Sequence, residues 1–197
     1  MRLILATRND HKLRELAQIL DRVELLPLPL HVDLPPEDGE TFEANALIKA
    51  RATHKACGEP ALADDSGIAA RALDGRPGVR SARYAGEDAS DEENLELLIS
   101  ELRDSDDRRV AYVCALAHID DQGRETVVEA RCEGKLIHER RGSRGFGYDP
   151  AFVPDDTGPG DERTMAELSD AEKHAISHRG RAARTLAGHL GVGGGSA

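Results

Sequence analysis

The sequence predicts an α/β fold built on a mixed sheet. Two observations carry that reading. Short apolar runs alternate with stretches of helical spacing through the first half of the chain, and two long strand-like runs, 109–119 and 125–137, then follow with only a tight turn between them. Neither an internal repeat nor a linker composition interrupts the chain. Residues 1–190 are therefore expected to form one domain, with a flexible small-residue tail at 191–197.

Each element follows in order. Residues 2–7 (RLILAT) are an apolar run suited to a buried strand, and Leu13, Leu16, Ile19 and Leu20 then recur at helical spacing. Residues 21–29 read as a second strand running into a proline-containing loop. Residues 42–57 are alanine-rich and helical, with Thr41 as N-cap. A short strand at 61–64 ends on paired aspartates, and the glycine- and arginine-rich stretch 74–89 reads as loop. Ser90 and Glu93 form a capping box ahead of Leu95, Leu98, Ile99 and Leu102. After the two long strands come a glycine-rich loop at 142–149 and a polar loop at 155–163. A second capping box, Ser169 with Glu172, opens one last helix running to about Leu190.

Composition narrows the function classes. The 197 residues are 39% hydrophobic, enough for a globular core, and only 3% aromatic. A formal net charge of -11 repels polyphosphate backbones at long range, so a general nucleic-acid binder is disfavoured and a small anionic substrate needs a local convergence of cations. Cys57, Cys114 and Cys132 are sparse and lack C-x-x-C spacing, which argues against a disulfide framework or a zinc site. No apolar run reaches the ~20 residues of a membrane span. Met1 leads straight into a strand-like run rather than a signal peptide, so a cytoplasmic protein with no membrane partner is expected.

Four patterns carry chemistry. Thr7-Arg8-Asn9-Asp10-His11-Lys12 stands where the first strand meets the first helix, and a helix N-terminus suits phosphate; an ordinary Asn or Asp cap followed by a surface lysine is the competing reading. No Walker A pattern occurs. Asp64-Asp65-Ser66-Gly67 puts two carboxylates on opposite faces of a strand end, so one can hold Mg²⁺ or activate water while the other braces the loop; a solvated turn competes. Glu37, in the proline-rich loop, together with Asp65 would meet the one or two carboxylates that nucleotide-bound Mg²⁺ takes from protein. Gly145-Phe146-Gly147-Tyr148-Asp149 flanks a scarce aromatic with glycines, suiting either base stacking or a core-filling turn. Lys173 and Ser177 are spaced to share a helical face beside His178 and Arg179, where donors for a keto oxygen or a phosphate compete with a solvated surface.

Taken in order, these motifs resemble the inosine triphosphate pyrophosphatase family, the dITP/XTP or non-canonical purine NTP pyrophosphatases. Leu5-Ala6-Thr7, Phe42, Asn45-Ala46, Lys49, Pro77-Gly78, 81–86 (SARYAG) and Glu172-Lys173 extend the match over nearly the whole chain. The resemblance implies an elongated mixed twisted sheet flanked by helices, two lobes with the active site in the cleft between them, and a homodimer. It implies that Thr7 to Lys12 and Lys49 hold the triphosphate and that Ser66 touches the substrate. Asp65 would be the catalytic carboxylate and a Mg²⁺ ligand, with Glu37 the other. Phe146, Gly147, Tyr148, Asp149, Lys173, His178 and Arg179 would form the base pocket. The implied activity is hydrolysis of ITP, dITP and XTP to monophosphate and pyrophosphate. Three positions depart from the pattern: Arg8 where many relatives carry Gly, Ala44 where Glu is common, and His174 where Asn or a small polar residue is usual. Two alternatives stand beside it. A Maf-type nucleotide pyrophosphatase would open on a Ser- and Arg-rich loop, unlike Thr7-x-Asn9-x-x-Lys12, and a non-catalytic nucleotide sensor would need neither Asp65 nor Glu37.

Overall fold

Strands β1 (Arg2–Leu5), β2 (Glu24–Pro27), β3 (Ala61–Ala70), β4 (Arg109–Ile119), β5 (Glu125–Leu136) and β6 (Phe152–Pro154) form one sheet in the order β2-β1-β3-β4-β5-β6. The computed structural model describes residues 1–192. β1 pairs in parallel with β2 and with β3, and the crossovers are α1 (Asp10–Ile19) and α2 (Phe42–Cys57); β5 and β6 pair antiparallel, so the sheet is mixed. Three more helices follow: α3 (Asp91–Glu101), α4 (Asp170–Ile176) and α5 (His178–His189).

By contacts the chain divides into two compact units. The first comprises Met1–Asp65, Cys114–Ala130 and the chain from Arg179 onward; the second comprises Ser66–Val113 and Arg131–His178.

In the first unit the strands are covered on both faces, which is why they read as continuous apolar runs rather than alternating ones. Side-chain alternation sorts the residues into two layers. Leu3, Leu5, Leu62, Cys114 and Leu116 pack with Leu16 of α1 and Ala182, Ala183 and Leu186 of α5. Ala6, Ala63, Ala115 and Ala117 pack with Ala46 and Ala50 of α2. The alanines on that second face let α2 lie close to the sheet. The same alternation, carried two residues further along β3, decides which way each aspartate points. Asp64 follows Leu62 and turns toward α1 and α5; Asp65 follows Ala63 and turns toward α2.

In the second unit the core gathers Ile68, Leu95, Leu98, Val110, Tyr112, Tyr148 and Phe152. The Ser90–Glu93 capping box starts α3 as expected, and a further box at Thr164–Glu167 opens a short 3₁₀ turn. Buried Asn94 accepts from the Ala85 N–H at 2.8 Å and donates to the Ala82 carbonyl at 3.1 Å, which ties down the stretch expected to be loop. That stretch contains a 3₁₀ helix, Gly78–Arg83.

The elements depart from the sequence reading at two further points. β3 does not stop at Asp64 but runs on to Ala70, so Gly67 sits within a strand instead of a turn. The reason is steric: a Cβ at Gly67 would lie 2.3 Å from Ser81 Oγ and 2.6 Å from the Gly78 carbonyl oxygen, so the glycine is what seats the 3₁₀ helix. The last helix is broken at Ser177, whose extended backbone (φ −64°, ψ 154°) ends α4 and stands directly ahead of α5. Serine is a preferred residue at such a helix start, and Gly180 in the next turn is a poor helix former, so a break here costs little. Of the expected tail, residues 193–197 lie outside the described residues. Gly191 and Val192 close α5 as a Schellman cap: the Gly191 N–H donates to the Gly188 carbonyl and the Val192 N–H to the Ala187 carbonyl, with Gly191 at φ 68°.

Candidate active site

The first constellation is built on β3, α1, α2 and α5, all within the first unit. Asp65 Oδ1 lies 3.1 Å from Lys49 Nζ, and the same ammonium lies 2.9 Å from Glu37 Oε1. Lys49 and Asp65 are each only 4% exposed, while Glu37 is half-buried. Asp65 Oδ2 is buried and has no hydrogen-bond partner. A buried, unsatisfied carboxylate oxygen is expensive to keep unless something else fills its lone pairs. Burial pushes the Asp65 carboxyl up to about 6; Lys49 and Lys12 pull it down and Glu37 adds to the rise. Burial would raise Glu37 as well, but the Lys49 ammonium holds it below the usual range. Lys49 stays raised in spite of burial, through Asp65 and Glu37.

Asp64 faces the other way into a separate network. Its carboxylate meets Lys12 Nζ at 2.5 Å and Arg179 Nε at 2.8 Å, and accepts from the Cys114 thiol at 3.2 Å. Arg179 Nη1 reaches Glu15 Oε2 at 2.6 Å. Burial alone would raise Asp64, yet Arg179 and Lys12 hold it well below the carboxylate range. Cys114 is pushed well above its ordinary value by burial and by Asp64, so it is an inert core thiol. The two adjacent aspartates thus belong to separate networks, Asp64 with Lys12 and Arg179, Asp65 with Lys49.

The second constellation lies within the second unit. Asp149 is buried and accepts three hydrogen bonds, from Tyr112 Oη at 3.0 Å, Lys173 Nζ at 2.7 Å and the Phe146 N–H at 3.0 Å. Lys173 Nζ stands 5.1 Å from the centroid of the Phe146 ring, a cation–π contact. His178 is buried and stacks on Tyr112, with centroids 4.5 Å apart and planes 7° from parallel. A Cβ on Gly145 would fall 2.0 Å from Asp149 Oδ2, so only glycine lets the loop close over that carboxylate. The Gly147 N–H donates to Asp91 Oδ2 at 2.8 Å. The loop amides on either side of the Phe146 carbonyl are therefore pinned by two different aspartates. Ser66, partly exposed, begins this unit on β3 directly after Asp65.

Several residues expected at the ligand have other work. Arg8 was expected among the phosphate ligands, but its guanidinium donates to the carbonyls of Leu28 at 2.7 Å and of Pro29 and Val32 at 2.8 Å each. Arg8→Gly should leave the KM for a triphosphate unchanged while removing ~2 kcal/mol of stability, a fall of ~4–8 °C in Tm. A raised KM at unchanged Tm would return Arg8 to the ligand. Asn9 is the N-cap of α1, and its Oδ1 already takes the His11 and Lys12 N–H groups; Thr7 Oγ1 takes the Asn9 N–H. Asp10 and His11 are exposed, and His11 Nδ1 lies 3.1 Å from Arg14 Nη2. Tyr148 is a core residue whose hydroxyl donates to the Ser81 carbonyl at 2.7 Å. Arg179 is 2% exposed and pairs with Asp64 and Glu15. Ser177 is the C-cap of α4, with extended backbone, so the helix that carries Lys173 ends before it.

Sequence reasoning assigned no role to Glu15, Tyr112 or Asp91. Glu15 was detectable in principle, since it lies one turn beyond Lys12 on α1. Tyr112 and Asp91 gave no local signal, because their partners lie 37 and 56 residues away in sequence.

Comparison with known proteins gives a consistent set of relatives. The model of the Ham1 family matches residues 3–189. The chain is 48% identical over 196 residues to a dITP/XTP pyrophosphatase of Geobacter sulfurreducens, covering 96% of each chain. It is 49% identical over 198 residues to one of Frankia alni, covering 95% of this chain and 96% of the relative. Among solved structures, a HAM1 protein from Coxiella burnetii superposes with a TM-score of 0.86 at 39% identity, over 97% of this chain and 98% of that one.

Proposed function

The chain belongs to the Ham1 family, and from that premise we propose that it hydrolyses non-canonical purine nucleoside triphosphates (ITP, dITP and XTP) to the monophosphate and pyrophosphate. The observation that carries the chemistry is Asp65. One of its carboxylate oxygens is held by a buried ammonium and the other is buried with no partner, beside a second carboxylate from Glu37. That donor set fits Mg²⁺, which prefers oxygen and takes few protein ligands when phosphates supply the rest. Glu37 and Asp65 would hold the ion, which when bound neutralises charge on phosphate oxygens.

This chain's own groups do the remainder. Asp65, pushed up to about 6, is suited to accept a proton from attacking water near neutral pH. Water adds to the α-phosphorus, the α–β bridging bond breaks, and pyrophosphate leaves with the electron pair. Lys49 is placed to hand its charge from carboxylate to phosphate, and Lys12 stands on Asp64 at the adjacent β3 position. Phe146, Lys173 and His178 would take the base. Donors aimed at a 6-keto oxygen favour hypoxanthine and xanthine over adenine, whose amino group would meet donor against donor. We further propose a cytoplasmic homodimer acting on free nucleotides; no helix among the described residues is long and apolar enough to cross a membrane.

Product analysis tests the reaction directly. ITP should give IMP and pyrophosphate without free IDP, and ¹⁸O from labelled water should appear on IMP. IDP with orthophosphate would overturn the assignment. A Maf-type preference would show as faster turnover of other bases across a triphosphate panel, and a sensor would bind without turnover.

A further inference from the structure

Glu37 lies on a proline-rich stretch with no regular secondary structure between β2 and α2, so something must hold its carboxylate beside Asp65. A buried side chain of α2 meets the loop two residues after Glu37. Asn45, in the first turns of α2 and completely buried, accepts the Gly39 N–H on Oδ1 at 2.8 Å. The loop backbone comes very close to the helix at that point. A Cβ on Gly39 would lie 2.7 Å from Asn45 Oδ1 and 2.9 Å from Ala44 Cβ. Asn45 also keeps its Nδ2 buried with no hydrogen-bond partner, which an apolar residue at a helix position would avoid. Lys49, one turn further along the same face of α2, bonds Glu37 itself.

We propose that Asn45 is a positioning residue for Glu37: by holding the Gly39 amide it fixes the loop that brings Glu37 to the metal. Helix α2 then supplies two contacts near Glu37, a neutral clamp two residues after it and a cation on its carboxylate. This rests on the reading of Glu37 as a metal-side carboxylate, and the test separates the two.

Mn²⁺ binding to the full-length protein is measured by electron paramagnetic resonance in the presence of a non-hydrolysable purine triphosphate, for wild type, E37Q, N45A, G39A and E37Q/N45A. E37Q should weaken Mn²⁺, and N45A should weaken it by about tenfold or more, as loss of a group orienting a metal ligand does. The double variant should bind no more weakly than E37Q alone, since Asn45 acts through Glu37. With Asp65 intact, N45A should raise the metal concentration for half-maximal turnover far more than it lowers kcat at saturating metal. G39A, which drives the same contact apart while keeping Asn45, should act in the same direction, and it decides the matter if N45A fails to fold. Unchanged Mn²⁺ affinity in N45A or G39A, with E37Q weakened, overturns the inference and leaves Glu37 as a ligand. Additive losses in the double variant also overturn it. Unchanged affinity in E37Q removes Glu37 from the metal and the inference with it.

Discussion

Asp65→Asn should lower kcat at least about a hundredfold while nucleotide binding is largely retained. The amide keeps the shape of the side chain but cannot take a proton, and it no longer carries the charge that faces Lys49. Pyrophosphate release gives kcat, and calorimetric titration with a triphosphate gives binding. Turnover near the wild-type rate would remove Asp65 from the chemistry. The neighbouring substitution should behave quite differently. Asp64→Asn takes the counter-charge from buried Arg179 and from Lys12, so its first effect should be on Tm. The contrast between consecutive residues comes from strand geometry alone: one step along β3 changes the partner from α2 to α1 and α5.

Arg179→Met is expected to cost roughly 3–5 kcal/mol of stability, because it removes the buried guanidinium that pairs with both Asp64 and Glu15. For a chain of this size that is a fall of ~6–20 °C in Tm. The arginine bridges Glu15 of α1 and Asp64 of β3 through separate nitrogens, a task lysine cannot copy with one ammonium, so Arg179→Lys should recover only part of the loss. Turnover of ITP and of ATP should fall together. Native Tm with a loss confined to ITP would show that the guanidinium reads the base, as the motif alone had implied.

Much of this was legible in the sequence because it depends on local rules. The strand–helix–strand start, α2 with Thr41 as its cap, the Ser90–Glu93 box and the Asp120–Gly123 turn are each specified within a few residues. That Asp64 and Asp65 face opposite ways followed from alternation before any partner was known. What escaped were features whose cause lies far along the chain. The continuation of β3 past Asp65 depends on Ser81 and Gly78 docking against Gly67. The withdrawal of Arg179 depends on Asp64, 115 residues earlier. The helix break at Ser177 was signalled locally, by a serine with a glycine three residues on, but the periodic pattern on both sides masked it. Motif resemblance named a group of residues without saying which of them the protein's own side chains and carbonyls already engage.

The three carbonyls gathered by Arg8 tie the identity of one residue to the length of another segment. Pro27 and Pro29 carry no N–H of their own, so the chain leaving β2 is short of backbone donors, and an arginine 21 residues earlier makes good the deficit. Lengthening or shortening the segment between Leu28 and Val32 would pull those carbonyls out of reach of a single planar guanidinium. A relative with glycine at position 8 must satisfy the same oxygens with water or with a differently shaped turn. Transplanting this loop between relatives should therefore succeed only when residue 8 travels with it.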